Sequence, residues 1–228
     1  MDEKNEIIGN ISGKAVIFDM DGTLVDSTKA DFLAWQKLFS HYNKELTFSE
    51  YLPLLGIKSS QVVRDFLPVK SEEEVQFALT RKLVFFHEII SKNGIHPVPF
   101  ADVFLKQISQ YNIPLALATS SRRAKMEMVM EQLNLLIYFD TVVTGGDVEN
   151  GKPSPEIFLK AAEKLNKIPG DCIVFEDASN GVKAAKNAGM KCVALASHLS
   201  HDSLQEADLV IDTFENLSFP NVCFQLNL

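Results

Sequence analysis

Reactive polar side chains follow four short apolar stretches of this 228-residue chain. They are Asp19 with Asp21, Thr119 with Ser120 and Ser121, Lys152 between Gly151 and Pro153, and Glu176 with Asp177. Acids at two of these points, with no histidine or cysteine beside them, suit a hard cation such as Mg²⁺. The hydroxyls, the lysine and the backbone N–H groups at a helix start suit a phosphate group. The set therefore predicts phosphoryl transfer, which depends mainly on positioning and charge neutralisation.

The two carboxylates of the first stretch are predicted to have separate roles. A carboxylate next to Mg²⁺ can act as a nucleophile and form an aspartyl-phosphate, and we assign that role to Asp19. Asp21 can then protonate the leaving alcohol and later deprotonate the attacking water. Gly22 is expected to allow the turn that brings both acids to one point. Thr23 is expected to bond to Asp19 or within its own turn.

These reactive points must lie at the ends of strands if they are to meet. Six short apolar runs are predicted to be strands, at residues 14–18, 114–118, 141–144, 172–175, 191–195 and 209–211. From residue 97 onward the strands alternate with helical patterns, which implies a parallel sheet with helices on both faces. Ligands of open parallel sheets bind beyond the carboxyl ends of the strands. The four reactive stretches are therefore expected at one edge of this sheet.

A helical block interrupts the chain directly after the first predicted strand. Helical spacing is found at residues 27–42, 47–54, 59–66 and 71–91, and nothing between about 29 and 96 has a strand pattern. The predicted domains are a helical cap at 29–96 and a catalytic core formed by 1–28 and 97–228. A cap that closes over the sheet edge would exclude water and carry the residues that recognise the substrate.

Charge and composition narrow the class of partner. The formal net charge is −8, from 22 basic and 30 acidic residues, which argues against binding to nucleic acid or to an anionic membrane. No apolar run has the length of a membrane span, and the first thirteen residues lack a signal-peptide pattern. A cytoplasmic location is therefore expected. The three scattered cysteines, Cys172, Cys192 and Cys223, do not suggest a disulfide framework, and Cys172 and Cys192 are expected to be buried, reduced thiols.

The four reactive stretches together resemble the motifs of the haloacid dehalogenase superfamily. Residues 18–27 (FDMDGTLVDS) resemble its first motif and residues 119–121 (TSS) its second. Residues 151–158 (GKPSPEIF) and 176–182 (EDASNGV) resemble the third and fourth motifs. The resemblance covers residues 14 to 212, and it is strongest to the subfamily of β-phosphoglucomutase and small sugar-phosphate phosphatases.

This resemblance implies a Rossmann-like parallel sheet core with helices on both faces and an inserted four-helix cap. It implies that Mg²⁺ is the cofactor, held by Asp19, the Asp21 carbonyl group and Asp177 with support from Glu176. The predicted metal-binding set is Asp19, Asp21, Glu176 and Asp177, and the predicted phosphate-binding set is Thr119, Ser120 and Lys152. The subfamily also implies a monomer. Haloacid dehalogenases and phosphonatases lack the second aspartate, so Asp21 favours phosphate ester chemistry.

The cap favours a phosphatase over a mutase. Where β-phosphoglucomutase has a histidine after the first motif, this chain has Asp31, and the arginine of the mutase cap is missing from Gly56-Ile57-Lys58-Ser59. A lysine directly after the glycine and the apolar residue is closer to the phosphatase pattern, although it lacks the bidentate geometry of arginine. The predicted substrate-binding residues are Gly56, Lys58, Ser121, Arg122 and Lys82.

We therefore expect a phosphatase that acts on a small phosphorylated sugar or similar metabolite. A β-phosphoglucomutase-type mutase is the alternative within enzymes. A non-catalytic binding protein of the same fold is a weaker alternative, because all four motifs carry competent side chains.

Overall fold

The computed structural model of the chain describes residues 13–228, and a six-stranded parallel sheet lies at its centre. The strands are β1 (Ala15–Phe18), β2 (Leu115–Thr119), β3 (Thr141–Thr144), β4 (Cys172–Glu176), β5 (Lys191–Leu195) and β6 (Leu209–Ile211). Their order across the sheet is β3-β2-β1-β4-β5-β6, and every neighbouring pair is parallel. The chain progresses in opposite directions on the two sides of β1, which opens a crevice at the carboxyl end of that strand.

Both faces of the sheet are buried under helices. Val16 and Phe18 of β1 point into one apolar cluster, whereas Ala15 and Ile17 point into a second cluster on the opposite face. All four side chains are fully buried. A strand buried on both faces reads as a continuous apolar run, which explains why β1 is recognisable in the sequence. The predicted α/β fold class is confirmed.

The helices of the insert begin and end within a few residues of their predicted positions. The α-helices of the described part of the chain are α1 (Thr28–His41), α2 (Phe48–Tyr51), α3 (Ser59–Phe66), α4 (Glu72–Asn93), α5 (Ala101–Ser109), α6 (Arg123–Gln132), α7 (Glu156–Lys164), α8 (Ser179–Asn187) and α9 (Phe219–Gln225). Helix α9 was not predicted, because a helix of only seven residues shows too little hydrophobic periodicity to be recognised in the sequence. Its Phe219 and Val222 are buried against the core.

Helices α1 to α4 form the predicted helical insert between β1 and the rest of the sheet. They enclose a separate apolar cluster that includes Trp35, Leu38 and Tyr51. The C-terminal half of α4 instead packs on the main core, through residues such as Phe86. The two connecting segments run side by side, since Asp26 N donates to His96 O at 3.0 Å and Val98 N to Leu24 O at 2.9 Å. The domain boundaries at 29 and 96 stay predictions.

Two further expectations concern the cysteines and the N-terminus. The three cysteines are buried and form no disulfide. Within residues 13–228, no helix has the length and hydrophobicity required to cross a membrane. The sequence analysis found no signal-peptide pattern in the first thirteen residues. Residues 1–12 of that segment lie outside the described part of the chain.

Candidate active site

The turn after β1 places Asp19 and Asp21 at the carboxyl edge of the sheet. Asp19 N donates to Phe175 O at 2.9 Å, so Asp19 extends the pairing of β1 with β4. Gly22 has a φ of +81°, and a Cβ atom added there would lie 2.1 Å from Asp177 Oδ2. Glycine is therefore required at this position for two reasons: the backbone is left-handed, and Asp177 approaches too closely for a side chain.

Lys152 lies behind Asp19 and links it to Glu176. Its ammonium group donates to Asp19 Oδ1 at 2.6 Å and also to Glu176 Oε1. Burial alone would lower the pKa of Lys152, but the two carboxylates outweigh it and raise the pKa above its usual range. The second oxygen of Glu176 accepts from the backbone N–H groups of Asp177 and Ala178 at 2.8 and 2.7 Å. Glu176 thus fixes both Lys152 and the start of α8.

Asp177 carries a buried oxygen atom that lacks a hydrogen-bond partner. Its Oδ1 accepts from Thr23 Oγ1 at 3.0 Å, whereas Oδ2 has no partner anywhere in the described chain. Burial raises the pKa of Asp177 well above its usual value, and Glu176 and Asp19 add to the effect. The Thr23 hydroxyl therefore donates its hydrogen bond to Asp177. The expectation that it bonds to Asp19 or within its own turn is wrong. Nor does the Asp177 side chain cap α8.

The buried carboxylates of this region have too little positive charge around them. Asp19, Glu176 and Asp177 share one ammonium group, that of Lys152, which leaves a formal charge of minus two. Burial raises the pKa of Asp19 to about 7, with added repulsion from Glu176 and Asp21 and partial relief from Lys152. An orphaned oxygen beside excess negative charge is the arrangement that a divalent cation would stabilise.

The four acids predicted as metal ligands do not converge as side chains. No group of three or more His, Cys, Asp or Glu residues is spaced for a metal within residues 13–228. Glu176 accepts from Lys152 and from two backbone N–H groups, and the Asp21 carboxylate accepts from Ser27, Ser121 and Lys125. The metal-binding role of Asp19, Asp21, Glu176 and Asp177 stays a prediction, in which Asp21 contributes its carbonyl group and Glu176 a supporting contact.

The Asp21 carboxylate is held by donors on the cap side of the site. Its Oδ1 accepts from Ser27 Oγ and from Lys125 Nζ, the latter at 2.7 Å. Its Oδ2 accepts from Ser121 Oγ at 2.6 Å. Ser121 was predicted as a substrate-binding residue, and the structure places its hydroxyl on Asp21. Neither Ser27 nor Lys125 was predicted.

Lys125 also connects Asp21 to a buried ion network beneath the cap. Lys125 Nζ lies 2.7 Å and Lys82 Nζ 2.8 Å from Asp31 Oδ1, and Tyr51 OH donates to Asp31 Oδ2 at 3.2 Å. Burial alone would raise the pKa of Asp31, but Lys125 and Lys82 outweigh it and hold the pKa well below its usual value. Burial lowers the pKa of Lys82 although Asp31 opposes the shift. Burial would also lower the pKa of Lys125, but Asp21 and Asp31 raise it above its usual range.

The second motif supplies hydroxyl groups at the end of β2. Thr119 is buried, and its Oγ1 accepts from the backbone N–H of Ser121 at 3.1 Å. Ser120 Oγ donates to Gly56 O of the cap at 2.6 Å. The cap segment 53–58 is held further by Asn180, whose amide donates to Pro53 O and Leu55 O. The core thus fixes the cap segment that contains the predicted residue Gly56.

A cavity of about 50 Å³ separates the cap from the sheet edge. Its lining includes most of the predicted site residues, namely Asp19, Asp21, Gly56, Lys82, Thr119, Ser120, Ser121, Glu176 and Asp177. A cavity of this size has room for a few water molecules. Lys152 contributes no surface to the cavity, because it lies behind Asp19.

Two predicted cap and rim residues lie outside this cavity. Lys58 Nζ donates to Val148 O at 2.6 Å and to Glu149 O at 3.3 Å, so it fastens the cap to the loop before Lys152. Arg122 donates to Gln76 Oε1 at 3.0 Å. Both side chains line an adjacent open cleft instead. The main-chain carbonyl groups that bind Lys58 explain why its ammonium does not reach the site.

Sequence reasoning missed Lys125 because a lysine on a helix is usually a surface residue. Lys125 lies beside Met126 and in line with Val129, and all three are buried. The available signal was its position in the first turn of α6, directly after the hydroxyl-rich end of β2. A long side chain at that point can turn back toward the sheet edge.

Carboxylates lie at the ends of β1 and β4 of the α/β core, and a helical cap covers them. This arrangement is typical of α/β enzymes whose active site lies between the carboxyl ends of the strands and a cap domain. A family model for haloacid dehalogenase-like hydrolases matches residues 16–195. The chain belongs to this family.

Three similar proteins support the assignment. The chain is 35% identical to a phosphorylated carbohydrates phosphatase of Thermotoga maritima, over 86% of this chain and 92% of the relative. It is 32% identical to the β-phosphoglucomutase of Bacillus subtilis, over 90% of this chain and 92% of the relative. A crystal structure of β-phosphoglucomutase from Clostridium difficile superposes with a TM-score of 0.83 at 29% identity, covering 94% of this chain and 97% of that one. The predictions of the family, of the capped fold and of a phosphatase-class enzyme are confirmed.

Proposed function

We propose that this protein is a Mg²⁺-dependent phosphatase that acts on a small phosphorylated sugar or a similar metabolite through an aspartyl-phosphate on Asp19. The observation that carries the proposal is the buried, unpartnered Asp177 Oδ2 next to Asp19 in a pocket with excess negative charge. The names of the similar proteins support it, since they include a phosphorylated carbohydrates phosphatase and a fructose-1-phosphate phosphatase of Escherichia coli, the latter 31% identical over 78% of this chain and 94% of the relative.

The donor set fits Mg²⁺. Asp19 and Asp177 offer carboxylate oxygens, and the Asp21 carbonyl group is the further oxygen expected from the family resemblance. Oxygen donors with no nitrogen or sulfur among them match the preference of this cation. When bound, Mg²⁺ would neutralise the excess carboxylate charge and the charge on the transferred phosphoryl group.

The residues of the chain account for the remaining steps. Lys152 holds Asp19 Oδ1 in place, so that the Asp19 carboxylate can attack phosphorus while the bond to the leaving oxygen breaks. The Thr119 hydroxyl and backbone N–H groups at the end of β2 stabilise the phosphoryl oxygens. Asp21 supplies a proton to the leaving alcohol. It then takes a proton from the water that attacks phosphorus and releases phosphate and free Asp19.

The direct test separates hydrolysis from isomerisation. The enzyme is incubated with β-glucose 1-phosphate, a bisphosphate primer and Mg²⁺, and in parallel with a panel of other sugar phosphates. We expect Mg²⁺-dependent release of inorganic phosphate from at least one monophosphate and no glucose 6-phosphate. Formation of glucose 6-phosphate would establish the mutase alternative. No release from any sugar phosphate or from an aryl phosphate would overturn both enzyme proposals.

We further propose that the protein works as a cytoplasmic monomer whose partner is its small phosphorylated substrate, without nucleic acid or membrane. The net charge of −8 and the subfamily resemblance support this. Light scattering coupled to size-exclusion chromatography should give a mass close to 25.4 kDa. A mass twice as large would contradict the monomer.

A further inference from the structure

The cavity extends from the reaction centre to a cap-side region whose charges are fully matched. Two ammonium groups line the cavity in the described chain, those of Lys82 and Lys125. Lys82 is paired with Asp31, and Lys125 is shared between Asp31 and Asp21. Two cations thus face two carboxylates, all at 2.7 to 2.8 Å. The side chain of Asp31 is only 11% exposed, so water does little to weaken these pairs.

Cations elsewhere in the neighbourhood are engaged outside this region. Lys58 donates to two loop carbonyl groups, and Arg122 donates to Gln76. The cap side of the cavity therefore offers no unpaired cation among residues 13–228. A phosphate group placed there would have to draw Lys82 or Lys125 away from Asp31, and a buried carboxylate would lose its partners.

We propose that Asp31 is a specificity-determining residue: it occupies the two cap-side ammonium groups, selects a neutral, hydroxylated leaving group and disfavours a second phosphate. This inference rests on the proposed phosphatase function and narrows its substrate class to monophosphates. Asp31, Tyr51 and Lys82 supply donors and acceptors that suit hydroxyl groups. The Trp35 ring lines the same region and holds Lys82 Nζ 4.3 Å from its centroid. This contact helps to hold Lys82 in the cap-side region.

The test compares a hexose monophosphate with the corresponding hexose bisphosphate. For the wild type, we expect kcat/KM for the monophosphate to exceed that for the bisphosphate. Asp31→Asn keeps the side-chain shape and removes the charge, so Lys82 loses its carboxylate partner and becomes available to the second phosphate, whereas Lys125 keeps Asp21. The ratio of kcat/KM for bisphosphate over monophosphate should rise about tenfold, the effect of roughly one added hydrogen bond to a charged group.

Glu88→Gln is the matched control. It removes one carboxylate from α4 that pairs with Lys37 on the protein surface, outside the cavity. The ratio should not change in this variant. An unchanged ratio in Asp31→Asn, or the same rise in Glu88→Gln, would overturn the role of Asp31.

A measurement on the wild type keeps the inference testable if Asp31→Asn does not fold. The bisphosphate should inhibit monophosphate hydrolysis no better than a second monophosphate does. Tighter inhibition by the bisphosphate, or its faster hydrolysis, would overturn the inference while the phosphatase function stands. Failure of the wild type to hydrolyse any monophosphate would overturn the proposed function, and the inference with it.

Discussion

The two ends of the cavity differ in how their charges are paired. At the core end, three buried carboxylates share the single ammonium group of Lys152, and Asp177 Oδ2 has no partner in the described structure. At the cap end, Lys82 and Lys125 are matched by Asp31 and Asp21. Both ends are buried and rich in charge, yet only one is short of a cation.

This difference indicates what each end receives. An end with excess negative charge and an orphaned oxygen is stabilised by a bound cation. An end whose charges are already paired gains nothing from a further ion and interacts best with neutral polar groups. The difference supports the proposal that the metal and the reacting phosphate bind at the core end and the remainder of the substrate at the cap end.

Asp19→Asn should have the largest effect, because it removes the proposed nucleophile and one proposed ligand of the cation. We expect kcat for a sugar monophosphate to fall by about 10⁴-fold or more, while the fold is retained. Steady-state phosphate release and a thermal melt check this. Activity within tenfold of the wild type would remove Asp19 from its role.

Lys125→Met tests whether the two ends are connected through Asp21. Lys125 is the residue that contacts both Asp21 and Asp31, so its loss should displace the proposed acid/base group. We expect kcat/KM for a sugar phosphate to fall about 10²-fold, the lower end of what general acid–base catalysis contributes.

Two comparisons sharpen this second prediction. An aryl phosphate leaves without a proton, so its kcat/KM should fall much less in Lys125→Met. Lys82→Met also loses a bond to Asp31 but no contact with Asp21. It should raise KM for the sugar phosphate, because a hydroxyl-binding group is lost, and leave kcat for both substrates little changed. Equal losses for both substrates in Lys125→Met would indicate a purely structural role.

Asp31→Asn should destabilise the protein in a pH-dependent manner. The pKa of Asp31 is held below its usual value in the folded state, so the charged form stabilises the fold above the unfolded pKa of about 4. We expect a loss of about 3 kcal/mol at pH 7, the scale for breaking a buried ion pair. Because this stabilisation disappears as the pH falls toward the folded pKa, the gap to the wild type should shrink below about pH 4.

Urea denaturation of both proteins at pH 7 and at successive values below pH 4 measures this gap. Glu88→Gln should change stability little at any pH, since its ion pair is exposed. A gap that widens on acidification would contradict the assigned ion network.

Lys58→Met should have the smallest effect. The structure places its ammonium group on Val148 O and Glu149 O, away from the cavity. We expect KM for a sugar monophosphate to change by less than about threefold, since net hydrogen bonds at half-exposed positions are weak. A tenfold rise in KM would restore Lys58 as the substrate-binding residue that its motif position suggested.

The core end could be predicted from the sequence far better than the cap end. The strands that carry Asp19, Thr119 and Glu176 are continuous apolar runs, and parallel topology sends their carboxyl ends to one edge. Local patterns therefore sufficed for the sheet, the helices and the residues at the strand ends. Helix α9 was the exception, because so short a segment shows too little periodicity.

The partners of the charged side chains could not be predicted in the same way, because they depend on three-dimensional packing. Nothing local in the sequence distinguishes Lys125, which is buried on Asp21, from Lys58, which binds loop carbonyl groups. The side chains of Asp31 and Lys82 lie 51 positions apart, and they meet only because α1 packs against α4. The ion pair between Lys152 and Glu176 also depends on the folded geometry.

Trapping of the phosphorylated enzyme tests the central claim most directly. The wild type is mixed with a radiolabelled sugar monophosphate and Mg²⁺, quenched in acid within one turnover, and digested for peptide mapping. We expect a label on the peptide that contains Asp19, released by hydroxylamine as for an acyl phosphate, and no label in Asp19→Asn. Efficient turnover without label on this peptide, or label on a different residue, would contradict the account.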